Sequence, residues 1–174
     1  MRLITVRHGQ SIANSKGIKQ GNRDEWIDTP LTKKGIEQAR KVAEKLKDED
    51  INIIYSSDLK RARQTAEEIN KFHKVKVKLE PRLRDILNDE DKEDFIEKCN
   101  SFFKEIERRD KNAIIVGHGS SCLTLLALTT SSREEGGKIV REHQNKHGNA
   151  SVSVVEKIGD NYKIKLIGCR KHLE

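Results

Sequence analysis

The sequence predicts an α/β protein: a three-layer α/β/α sandwich with a central, mostly parallel sheet. Three observations predict it. Short apolar runs rich in β-branched residues recur along the chain, and stretches with apolar residues at helical spacing fall between them. The chain has 174 residues, only 2 prolines and no low-complexity tract. That suits one folded domain, residues 1–174, without internal repeats or a clear linker.

Arg2 to Val6 is the first strand: short, apolar and β-branched. From Thr32, TKKGIEQARKVAEKLK sets Ile36, Ala39, Ala43 and Leu46 on one helical face, with Thr32 as N-cap. INIIYSS (51–57) is a second strand. DLKRARQTAEEINK then aligns Leu59, Ala62, Ala66 and Ile69. KVKVKLE alternates with period two and reads as an edge strand with its lysines outward. After an irregular acidic stretch, EDFIEKCNSFFKEIERR is a strongly amphipathic helix. AIIVGH (113–118) is a third apolar strand, and SCLTLLALTT a buried helix. ASVSVVEK and YKIKLIG, joined by IGDN, form a hairpin.

Composition narrows the function. Only 34% of residues are apolar and 36% are charged, with a net charge of +7 and a pI near 9.3. A basic balance attracts anions, large or small. The charges here are interspersed and aromatics make up 4%, so a nucleic-acid surface is not expected. No apolar run approaches the ~20 residues needed to cross a bilayer, and the N-terminal run is broken by Arg7 and His8. Cys99, Cys122 and Cys169 are odd in number and widely spaced, which fits reduced thiols and a cytoplasmic protein. His143 and His147 are four apart, but no third ligand has suitable spacing; they read as a surface pair, and no metal or cofactor is expected. Edges such as KVKVKLE leave a homodimer open.

Chemistry gathers at the strand ends. The first strand runs into Arg7-His8-Gly9, the second into Ser56-Ser57 and the third into Gly117-His118-Gly119. In α/β sheets such ends form the ligand crevice. Glycine lets the backbone approach an anion, and a helix starting near Ser120 would aim N–H groups at it. Arg7 and Arg61, one turn into the next helix, offer planar guanidinium forks suited to phosphate oxygens. A neutral imidazole can attack phosphorus, and a carboxylic acid can protonate the departing oxygen.

The stretches VRHGQSIAN, DTPLTKKGIEQA, IYSSDLKRARQTAEEI, RLRD, IIVGHGSS and GNASVSVVE resemble, in order, the histidine phosphatase superfamily in its phosphoglycerate mutase-like branch. The resemblance implies that fold, no cofactor or metal, and a small phosphorylated substrate. It implies His8 as the phosphorylated nucleophile, with Arg7, Arg61 and His118 completing the phosphate pocket and Gly119 lending its amide. Asn14 would bind the phosphoryl group. Gln10, Ser11 and Gln20 would lie at the substrate rim, with Lys16, Arg23 and the 84–92 loop helping to select the leaving group.

Two departures bear on the activity. That branch usually carries Leu-Arg-Glu, whose glutamate donates the proton; here the sequence is Leu83-Arg84-Asp85. Asp85 is the expected donor, with Asp89 and Glu90 as substitutes and a structural partner for an arginine as its other role. The interval from Asp85 to His118 is also short, whereas mutases of the family carry a longer, basic insertion there that shields the phosphoenzyme from water. The expected activity is therefore a metal-independent phosphomonoester phosphatase, against a phosphoglycerate mutase or an inactive phospho-ligand binding module.

Overall fold

The computed structural model describes residues 1–18, 27–87 and 90–174. Gln20, Arg23 and Asp89 lie outside the described residues. The strands are β1 (Arg2–Arg7), β2 (Ile53–Ser56), β3 (Lys76–Leu79), β4 (Ala113–Gly117), β5 (Val152–Ile158) and β6 (Asn161–Cys169). Together they form one sheet in the order β3-β2-β4-β1-β5-β6. The β3-β2, β2-β4 and β4-β1 pairs are parallel, and β1-β5 and β5-β6 are antiparallel. The sheet is mixed, and its parallel part carries the three chemistry-bearing strand ends. The β5–β6 hairpin turns through Gly159-Asp160, where Gly159 has φ +61° and so needs a residue that tolerates the left-handed region.

Side-chain alternation along each strand sorts the core into two layers. Ile4 and Val6 of β1, Ile54 of β2, and Ile114 and Val116 of β4 face α2 (Lys33–Leu46) and α3 (Lys60–His73). Those helices contribute Val42, Ala43 and Leu46, and Ala62, Ala66 and Ile69. Leu3, Tyr55, Ala113 and Ile115 point the other way, onto Phe102, Phe103 and Ile106 of α4 (Lys92–Arg109) and Leu123, Leu125 and Leu126 of α5 (Gly119–Ala127). This is the expected α/β/α layering. The helix starts follow ordinary capping: Thr32 Oγ1 accepts from Gly35 N at 3.0 Å, and Asp91 accepts from Glu93 N at 2.7 Å.

Two local readings need correction. Lys78 of β3 does not point freely to solvent; it reaches across the second face to Glu105 of α4 at 3.0 Å. Residues 133–143 form a helix, α6 (Arg133–His143), that sequence reading leaves unassigned. Its start is legible: Ser132 accepts from Glu135 N at 3.2 Å, the Ser-x-x-Glu pattern of a helix N-terminus. Gly136-Gly137, poor in helix propensity, obscures it. Gly136 is needed for contact, because a Cβ there would lie 2.8 Å from Ala127 O of α5. Among the described residues no helix is long and apolar enough to cross a membrane.

Candidate active site

The crevice follows from topology. β1 and β4 are parallel neighbours, but α2, after β1, packs on one face and α5, after β4, on the other. The chain parts between their carboxyl ends, and that is where ligands bind in such sheets. His8 follows β1 there and His118 follows β4. Their rings sit edge to face with centroids 5.0 Å apart. Arg61, from the first turn of α3, lies between them: its Nε donates to His8 Nε2 at 3.3 Å and its Nη2 approaches His118 Nδ1 at 3.3 Å. All three side chains are buried.

Partners fix the tautomers. His8 Nδ1 is 2.7 Å from Gly9 O, a group that can only accept, so Nδ1 carries the proton. Nε2 is then a lone pair facing Arg61. An arginine can only donate, so His118 Nδ1 is its acceptor, and His118 Nε2–H points at Ser57 Oγ, 3.0 Å away. Burial first, then Arg61 and Arg7, hold the His8 pKa well below its usual value. Burial, then His8 and the same arginines, do likewise for His118. Both rings are neutral at physiological pH.

Arg7 lies against Gly119 at the start of α5; a Cβ at Gly119 would be 3.7 Å from Arg7 Nη1. One guanidinium nitrogen of Arg7 donates to His147 O, while its Nε is buried without a hydrogen-bond partner among the described residues. Asp85, after a one-turn 3₁₀ helix at Pro81–Leu83, accepts from Ser120 Oγ. It is close enough to Arg7 and Arg61 to oppose the lowering that burial imposes on both guanidinium pKa values. Arg84 pairs instead with Asp58, at 2.6 Å and 2.8 Å. Glu90 is bound to Lys98 and to Leu87 N, so it is engaged away from the histidines.

The predicted rim divides. Asn14 is exposed at the crevice edge; its Oδ1 accepts from Ser11 N at 3.2 Å and from Asn149 Nδ2 at 3.0 Å, which leaves its own Nδ2 to donate elsewhere. Ser11 lies beneath the rim, fully buried, with Oγ capping the four-residue α1 (Ile12–Ser15). Gln10 is half-buried, and its Oε1 accepts from Thr32 Oγ1 at 3.0 Å.

Two contributors escape sequence reading. Asn149 Nδ2 donates to His8 O (3.2 Å), Gly9 O (3.4 Å) and Asn14 Oδ1 (3.0 Å), stitching the His8 loop to the rim. His147 supplies the carbonyl that holds Arg7. The motif GNAS is visible, but sequence spacing alone cannot show that a residue 141 positions away reaches His8 O. His143 and His147 are not a surface pair: His147 is 1% exposed, and burial holds its pKa down at about 4. Among the described residues no three His, Cys, Asp or Glu side chains gather as a metal site. Cys99 and Cys122 are free and buried, their thiol pKa values pushed up to about 12 by burial, which suits packing rather than reactivity.

The profile of the histidine phosphatase superfamily, branch 1, matches residues 3–89, half of the chain. The chain belongs to that superfamily. The match includes Arg7, His8, Arg61 and Asp85; His118 and Asn149 lie beyond it. This histidine phosphatase-family chain is 44% identical over 86 residues to the Photorhabdus laumondii protein named probable phosphoglycerate mutase GpmB. That stretch covers 49% of this chain but only 38% of the relative's length. Of solved structures, Bacillus stearothermophilus YhfR superposes with a TM-score of 0.81 at 23% identity, over 99% of each chain. A phosphoserine phosphatase mutant from Entamoeba histolytica, in complex with phosphoserine, superposes with a TM-score of 0.79 at 21% identity, also over 99% of each. At such identities the neighbours establish the shared phosphoglycerate mutase-like α/β fold of the superfamily.

Proposed function

We infer that the chain is a phosphomonoester phosphatase that works through a phosphohistidine at His8. The observation that carries this reading is the His8 ring: buried and neutral, with Nδ1 spent on Gly9 O and the Nε2 lone pair facing Arg61 and His118. A nitrogen nucleophile on phosphorus needs that lone pair and nearby positive charge. Arg61 and Arg7 supply the charge, and the Nε–H of Arg7, unpartnered among the described residues, is a donor suited to a phosphoryl oxygen.

The reaction runs in two steps. His8 Nε2 attacks phosphorus, a P–N bond forms, and the P–O bond to the leaving group breaks. Asp85, as the acid, gives its proton to the departing oxygen. Water then attacks the phosphohistidine while Asp85 takes the water's proton; the P–N bond breaks and inorganic phosphate leaves. Arg7, Arg61, Asn14 and the Gly119 amide hold the equatorial oxygens throughout, and His118, bonded to Ser57 Oγ and accepting from Arg61, orients that guanidinium. Support for Asp85 as the acid is its position in the cleft beside Arg7, with Glu90 engaged elsewhere.

Relatives carry both mutase and phosphatase names. Hydrolysis is favoured here because the described chain between β3 and β4 holds little beyond α4 as regular structure. Among the described residues no long, basic insertion stands there to shield a phosphohistidine from attacking water. The test is turnover of p-nitrophenyl phosphate with chelator present, together with acid-quench trapping of an acid-labile phosphoenzyme. Wild type should release phosphate and label; His8→Ala should do neither while keeping its circular dichroism spectrum. Turnover by His8→Ala, or rapid interconversion of 2- and 3-phosphoglycerate by wild type, would overturn the reading.

A further inference from the structure

The nucleophile lies beside a cleft whose walls are not those of a polyanion site. A cavity of about 410 Å³ begins at Arg7, Asp85 and Gly119 and extends outward between α4, α5 and α6. Ile86, Phe95, Leu123 and Val140 form its apolar wall, and Lys92, Ser120, Thr124 and Gln144 line the rest. Beyond it lies a second cavity of about 470 Å³, which shares Ile96, Thr124 and Val140 with the first and continues between α5 and α6 past Gly136 and Gly137. Cavities of this size take ligands of drug-like dimensions, well beyond what a phosphorylated amino acid fills.

We propose that the two cavities form one leaving-group channel, and that the substrate class is a phosphomonoester of a long-chain apolar alcohol, alkyl or arylalkyl. The proposal rests on the phosphatase reading, because that reading puts the scissile oxygen at Asp85, the residue at the channel's inner end. Phosphate gripped by Arg7 with its bridging oxygen at Asp85 sends the rest of the ester outward along Phe95 and Leu123. An apolar chain gains there by leaving water. A second anionic group held along Phe95 and Leu123 would lose water against apolar side chains, which is costly. The cations lining the two cavities stand at their ends: Arg7 at the reacting centre, and Lys92 and Arg133 on exposed ground.

The experiment is a series of n-alkylphosphonates, which resist hydrolysis, titrated by calorimetry from two to twelve carbons. The channel predicts affinity rising with length, by up to about fourfold per buried methylene, until it is filled. Ile96→Trp, placed in the wall shared by the two cavities, should stop that rise at shorter chains while leaving the affinity for ethylphosphonate unchanged. Affinity independent of chain length, or a rise that Ile96→Trp does not shorten, overturns the proposal. Because binding is read without turnover, failure of the phosphatase reading shows separately, as absent hydrolysis of p-nitrophenyl phosphate.

Discussion

His8 offers one nitrogen to the crevice because Gly9 O holds the other, and Asn149 reaches that same carbonyl. An amide group has two hydrogens, and here they serve three acceptors around His8 and Asn14. Asn149→Asp keeps the shape but turns the donor into an acceptor facing three oxygens. The expected result is a drop in kcat/KM of about tenfold to a hundredfold, with the far-ultraviolet spectrum unchanged; steady-state kinetics beside circular dichroism checks it. Asp85→Asn removes the proposed acid and should lower kcat by about a hundredfold or more. The loss should be smaller for p-nitrophenyl phosphate, whose leaving group needs little proton assistance. If the variant hydrolyses both aryl and alkyl phosphates at the wild-type rate, Asp85 has no part in the chemistry.

At the scale of elements, the start of α2 is pressed against the loop that follows His8. A Cβ at Gly35 would stand 2.0 Å from Gln10 O, and one at Gly9 would stand 2.4 Å from Gly35 O. Backbone meets backbone, so neither position can yield by rotating a side chain. Gly35→Ala should cost about 1–3 kcal/mol of stability, or roughly 2–4 °C of Tm per kcal/mol at this chain length. Activity should fall as well, because the displaced partner is the His8 loop; scanning calorimetry and turnover on one preparation read both. Such contacts are illegible in a sequence. Periodicity announces α2, α3, α4 and every strand, since each buries one face or both. It does not announce α6, where two glycines interrupt the propensity, nor that His147 is buried. Arg7, His8, Arg61 and His118 are legible because strand ends and the first turn of a helix converge by topology. The carbonyl of His147 and the amide of Asn149 are not, because loops carry no period.

For the whole molecule, the buried histidines set the response to acid. His8, His118 and His147 have folded-state pKa values below the ordinary value near 6.5, in each case chiefly through burial. The unfolded chain therefore binds more protons than the folded one once the pH falls below about 6.5. Stability should decline from there, with the His147 share complete near its folded value of about 4. Urea midpoints at pH 7.5, 6 and 5 check this, and a midpoint that rises toward pH 5 would contradict it. The β1–β5 pairing has a consequence of another kind. Arg7 N bonds to Ser151 O and Ala150 N to His8 O, each at 3.0 Å, while His147 and Asn149 hold Arg7 and the His8 loop. His8 is synthesised about 140 residues before its supports His147 and Asn149. A ribosome-bound chain that has emerged only as far as the start of α5 carries both histidines and both arginines yet lacks the strand and loop that fix them. If His8 is phosphorylated as proposed, labelling should therefore begin late and abruptly, as the β5–β6 hairpin docks beside β1.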